Sequence, residues 1–166
     1  MASGYEGLVQ VALAAALVAA VILDLRERRI PNWVTLPGIV AGLALQTARD
    51  GGDGLIAGLA GAAVGAGLLA LPFSLKWVGG GDVKLLAAVG AFMGATFTLW
   101  ALLFACAAGG ILAMGWLAFT GKLVDSMKYL FLIWIPNPMA KPDALKTGVP
   151  FGPALAIGSF AAILLR

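Results

Sequence analysis

From Leu85 to Phe119 the chain carries no charged residue, and almost every position is apolar or glycine. A helix needs only about 20 such residues to cross the ~30 Å hydrocarbon core of a bilayer, so this run is too long for one crossing and holds two. The turn between them is expected between Gly94 and Trp100, where Gly94, Thr96 and Thr98 supply flexible or polar chemistry. The remainder of the chain obeys the same constraint. Of 166 residues, 61% are apolar and 11% charged, against about half and a quarter in a soluble domain. Too little polar surface is left to clothe a soluble core, and one integral-membrane domain over residues 1–166 is expected.

Composition also narrows the chemistry. There is no histidine and one cysteine, which removes triads with a His base, imidazole zinc sites, haem with a His ligand, internal disulfides and cysteine metal clusters. Cys106, in the middle of the long apolar run, reads as a small packing residue.

Six crossings with short loops fit the apolar pattern. The first covers Leu8 to Leu23 and is followed, not preceded, by Arg26, Arg28 and Arg29; a cleaved signal peptide has its positive charge in front, so this run reads as a retained span. The second goes from Trp33 to about Ala48 and closes at Arg49, Asp50, Gly51, Gly52 and Asp53, and the third covers Leu55 to Phe73. Two share the long run. The sixth extends from about Pro150 to Leu165, with Pro150 suited to a helix start. Before it, Lys122 to Trp134 has Leu123, Val124, Met127, Leu130, Phe131 and Trp134 on one helical face and Lys122, Asp125, Ser126 and Tyr129 opposite, the pattern of an interfacial amphipathic helix that Pro136, Pro138 and Pro142 break.

With the N-terminus outside, nine of the eleven basic residues fall on the inner side, leaving Arg49 and Arg166 outside. This asymmetry is the positive-inside rule. It places the cation excess against anionic lipid head groups and accounts for a pI near 9.3 without a nucleic-acid partner. The fold expected is therefore an all-α membrane protein. Along the third span Gly54, Gly58, Gly61 and Gly65 form a smooth stripe, and Gly38 with Gly42 and Gly90 with Gly94 repeat its spacing. Such stripes let helix backbones approach closely in lipid. Packing within one chain is the first reading, a homodimer face the alternative.

Of eight acidic residues, two stand apart. Asp24 directly follows the apolar run ending at Leu23, and Asp82 follows Gly79, Gly80 and Gly81 just before the fourth span. On this topology both lie at the cytoplasmic ends of their helices, at similar depth. Each also has an ordinary explanation: Asp82 as a helix cap, Asp24 as a boundary marker paired with Arg28 one turn on. Their combination favours chemistry, because ionisable residues beside a span are costly and face wet cavities. Two adjacent carboxyl groups share one proton; the charged member then serves as base on a water while the protonated one polarises a carbonyl, the arrangement of aspartic proteases. No metal or cofactor is required. The glycines before Asp82 would let backbone approach its partner or an extended substrate.

The segments DLRERRIPNWVTLPGIVAGL (Asp24 to Leu43), GGGDVKLLAAVGAFMG (Gly79 to Gly94) and PFGPALAIG (Pro150 to Gly158) together resemble the prepilin peptidases, or type IV leader peptidases, intramembrane aspartic proteases with a G-x-G-D motif. The resemblance implies that Asp24 and Asp82 are the catalytic aspartates, that Gly79, Gly81 and Lys84 belong to the motif around the second, and that Pro31 and Asn32 follow the first. Lys84 would pair with a carboxylate or lipid phosphate, or simply anchor the topology; Pro31 would start the second helix and Asn32 bond nearby backbone. The implied activity is removal of the leader from prepilins or pseudopilins at the cytoplasmic face of the bacterial inner membrane. The chain lacks the cytoplasmic region and paired cysteines of bifunctional members, so it looks like the short form that accompanies tight-adherence (Flp) pili, without methyltransferase activity. Two other readings are a non-enzymatic scaffold or transporter subunit, and a protease of the same chemistry acting on unrelated signal peptides.

Overall fold

Apolar runs of this length leave the backbone no hydrogen-bond partners in lipid except its own, and helix is the state that satisfies them. The computed structural model describes residues 2–27, 31–75, 78–119, 121 and 151–165. These residues form five helices, α1 (Ala2–Glu27), α2 (Asn32–Ser74), α3 (Gly80–Met93), α4 (Ala95–Phe119) and α5 (Phe151–Leu164), and no strand. Among the described residues, three helical stretches are long and apolar enough to cross a membrane: Gly7–Asp24, Asn32–Ser74 and Ala95–Trp116. Large apolar side chains such as Val11, Val40, Ile56 and Leu103 face outward from them, a surface suited to lipid rather than water. The protein is a membrane protein.

The chain forms two compact units, Met1–Ala108 with Pro150–Arg166, and Gly109–Val149. In the second, the described residues are the end of α4, where Ile111, Met114 and Trp116 are exposed, and Gly121. The expected interfacial helix from Lys122 to Trp134 lies outside the described residues, as do Arg28, Arg29 and Pro150.

In the first unit, α2 holds both the second and the third expected crossings. Straight, its 43 residues would reach about 65 Å, twice the hydrocarbon thickness. Gly51, with φ 62° and ψ −133°, breaks the helix, a conformation that glycine adopts without a Cβ penalty. The arms on either side, residues 32–50 and 52–74, run back along each other. A Cβ at Gly54 would fall on the carbonyl of Gln46, and one at Gly58 would meet Leu43, so contacts descend one arm as they climb the other. Arg49 and Asp50 form an ion pair of 2.6 Å beside the break.

The glycine stripe explains how α3 fits against this hairpin. A Cβ on Gly61 would land on the backbone of Gly90, and one on Gly65 would lie 2.5 Å from the carbonyl oxygen of Leu86. On the other arm, Gly38 faces Ala88 and Gly42 faces Ala91 and Phe92. Residue numbers rise together in the second set and oppositely in the first, so α3 runs parallel to the first arm and antiparallel to the second. The stripe is used within the chain. As a result α3 is the most enclosed helix, buried continuously from Leu85 to Phe92.

α1 covers this core with Val9, Leu13, Leu17 and Ala20, a single buried stripe at intervals of four, four and three. α5 closes against α4, where a Cβ on Gly158 would strike Ala101 and Ala105. The turn between the fourth and fifth expected spans falls at Gly94, φ 82°, at the near edge of the expected interval. Cys106 departs from expectation. It is exposed on α4, one position after buried Ala105, and packs no core.

Candidate functional site

Asp24 continues the buried stripe of α1: it follows Ala20 by four residues and is itself only 7% exposed. The rotation that buries Leu13 and Leu17 therefore carries its carboxyl inward as well. Asp82 lies in the first turn of α3 and is 8% exposed. α1 packs against α3, and the two carboxyl groups lie within electrostatic reach of each other. Like charges within reach of each other and away from bulk water repel, which sets these two acids apart from the surface acid Asp50.

Backbone amides face both carboxyl groups. The amide of Gly79 donates to Asp82 Oδ2 at 3.2 Å. This is half of a capping box, so Asp82 does cap its own helix. The extended backbone of Gly79, φ −74° and ψ 150°, turns its N–H toward the carboxylate. Opposite, the amide of Gly152 stands against the Asp24 carboxyl. It belongs to the first turn of α5, where free N–H groups and the positive end of the helix dipole favour an anion. The approach is very close: a Cβ on Gly152 would lie 2.5 Å from Asp24 Oδ2. That oxygen is buried and completes no hydrogen bond of its own among the described residues.

The other motif residues sit around this pair. Pro31 is the extended residue immediately before α2, φ −72° and ψ 150°, and Asn32 is the first helical residue. Its side chain does not turn to nearby backbone. Instead Lys84 Nζ donates to Asn32 Oδ1 at 2.6 Å, tying the start of α2 to the first turns of α3. Gly81 is a helical residue of α3 directly before Asp82. Gly152 lies in the segment PFGPALAIG that carries part of the family resemblance, but the resemblance assigns it no role.

A profile of the type IV leader peptidase family matches residues 11–114. The chain belongs to this family. Comparison with curated proteins and with solved structures returned no match. Membership in the leader peptidases makes the chain a peptidase, hence a hydrolase, with prepilins as the substrates that the family implies. The matched region of this leader peptidase contains Asp24, Asn32, Gly79, Asp82 and Lys84, whereas Gly152 on α5 lies beyond it.

Proposed function

We propose that this leader peptidase is an intramembrane aspartic endopeptidase whose water is activated by Asp24 and Asp82, and that it removes the leader from Flp-type prepilins or pseudopilins at the cytoplasmic face of the inner membrane. The observation that carries this reading is that two buried carboxyl groups, at the end of α1 and the start of α3, lie within electrostatic reach of each other.

The chemistry follows from the pairing. A carboxylate takes a proton from the shared water as its oxygen attacks the scissile carbonyl carbon. The protonated partner gives its proton to the carbonyl oxygen, so the tetrahedral intermediate forms without a free oxyanion. Collapse then breaks the C–N bond, with the leaving nitrogen protonated by the acid formed in the first step. The Gly79 and Gly152 amides steady whichever carboxyl is charged. Pro31, Asn32 and Lys84 hold the start of α2 against this end of α3, and Gly79 and Gly81 keep the approach to Asp82 free of side chains.

The membrane arrangement supporting this reading has six crossings, α1, the two arms of α2, α3, α4 and α5, with the N-terminus outside. α3 spans only about 21 Å and needs the surrounding helices to complete its path. The leader enters from the cytoplasm while the hydrophobic helix behind it stays in the bilayer.

The capping bond from Gly79 to Asp82 is the one observation that favours the alternative, a scaffold whose acids are purely structural. Incubating the purified protein, in vesicles, with a prepilin and with an ordinary signal peptide separates the readings. The expected result is one cut in the prepilin, at the leader boundary, giving a product without an added methyl group and leaving the signal peptide intact. Cleavage of neither substrate supports the scaffold, and equal cleavage of both supports a general signal-peptide protease.

A further inference from the structure

Thr35 is 1% exposed, and its Oγ1 has no hydrogen-bond partner among the described residues. Other buried or half-buried hydroxyls in these helices return to their own backbone: Thr47 to the Leu43 carbonyl at 2.7 Å, Thr98 to Gly94 at 2.8 Å and Ser159 to Leu155 at 2.8 Å. The equivalent acceptor for Thr35 is the Pro31 carbonyl, which already receives the amides of Val34 and Thr35. Thr35 leaves it alone. A buried hydroxyl that satisfies nothing destabilises a fold, so its presence asks what it meets when the protein works.

The helix register locates it. Thr35 and Gly42 are seven residues apart and share one face of α2, the face on which Gly42 meets Ala91 and Phe92 and Gly38 meets Ala88. Since the first arm and α3 run parallel, one further turn back brings Thr35 level with residues 84 and 85. The Asn32–Lys84 bond marks the same end of both helices. Asp82 is two to three residues beyond, about 4 Å along the axis. Of the three buried side-chain oxygens without partners among the described residues, Asp24 Oδ2 and Thr35 Oγ1 belong to this end. The third, Gln46 Oε1, is eleven residues farther along the arm, about 16 Å away beside the Gly51 break.

We infer that the Thr35 hydroxyl is a third polar group of the Asp24 and Asp82 site, placed to hydrogen-bond the water that the two carboxyls share. The inference rests on the aspartic reading above. An oxygen donor and acceptor fixed by a β-branched, helix-locked side chain would hold the water's orientation for attack without adding charge. A valine would fill the same space and lack only the hydroxyl.

The test measures prepilin cleavage in vesicles for Thr35→Val and Thr35→Ser, with Asp82→Asn alongside. Thr35→Val is expected to lose at least tenfold in kcat with KM within twofold, and to melt at the wild-type temperature, because the branched shape of the side chain is kept. Thr35→Ser, which keeps the oxygen, is expected to retain most of the rate. Wild-type turnover in Thr35→Val overturns the inference. So does a lowered melting point in Thr35→Val with an equal loss of rate in Thr35→Ser, since the methyl packing would then be what matters. If Asp82→Asn still cleaves, the aspartic reading itself fails; if it is dead while Thr35→Val is normal, only the role of Thr35 falls.

Discussion

Gly152→Ala is the smallest change that reaches the site without touching a carboxylate. The new Cβ would lie 2.5 Å from Asp24 Oδ2, 3.0 Å from its Cγ and 3.3 Å from its Cβ. Unstrained contacts settle near 3.5 Å, so the carboxyl must retreat by about 1 Å or the start of α5 must move. Overpacking of this kind costs about 1–3 kcal/mol of stability, which a membrane-inserted protein survives. The effect on chemistry is larger, since a displacement of about 1 Å of a reacting group costs roughly a hundredfold in rate. Leader cleavage in vesicles is therefore expected to fall about a hundredfold in kcat/KM while insertion is retained. Gly67→Ala is the control: it is exposed on α2 with nothing within 4 Å, and its activity should be unchanged. Cleavage by Gly152→Ala within twofold of this control would refute the close approach of α5 to Asp24.

Gly61→Ala or Gly90→Ala would press α2 and α3 apart, because each new Cβ meets the other residue's carbonyl; thermal denaturation in detergent should show a loss of about 1–3 kcal/mol, and an unchanged transition would contradict the parallel and antiparallel packing. Lys84→Met and Asn32→Ala each remove one partner of the 2.6 Å bond. Since that bond is exposed, each should cost about 1 kcal/mol or less, and the double variant should be no worse than the more damaging single one, with a coupling measured by a double-mutant cycle.

Much of this arrangement can be read from residue order, for identifiable reasons. The uncharged run after Lys84 and the break chemistry at Gly51 and Gly94 follow from what lipid permits a backbone to do. The spacing of Gly54, Gly58, Gly61 and Gly65 announces close packing, but it does not name the partner, which the hairpin in α2 and the path of α3 supply. Cys106 shows where such reading stops. On a helix apolar all round, the lipid-facing and protein-facing sides have the same chemistry, so nothing in the sequence says which way a small residue points. The Asn32–Lys84 bond joins residues 52 positions apart, and only the parallel register of two helices creates it. Asp24 was legible as a candidate, but its burial depends on continuing the Val9, Leu13, Leu17 and Ala20 stripe, a weak pattern in a helix with so few polar positions. The approach of Gly152 comes from a helix that begins after the long segment between α4 and α5, beyond the reach of local reasoning.

The proposed mechanism depends on two acids acting on one peptide bond. Asp24→Asn and Asp82→Asn preserve shape and hydrogen-bonding capacity while removing the ionisable proton, so each can be compared with the wild type in the same vesicles, with insertion verified by protease protection. Both variants are expected to insert normally and to leave prepilin uncut; processing at the wild-type rate by either one would contradict catalysis by the pair.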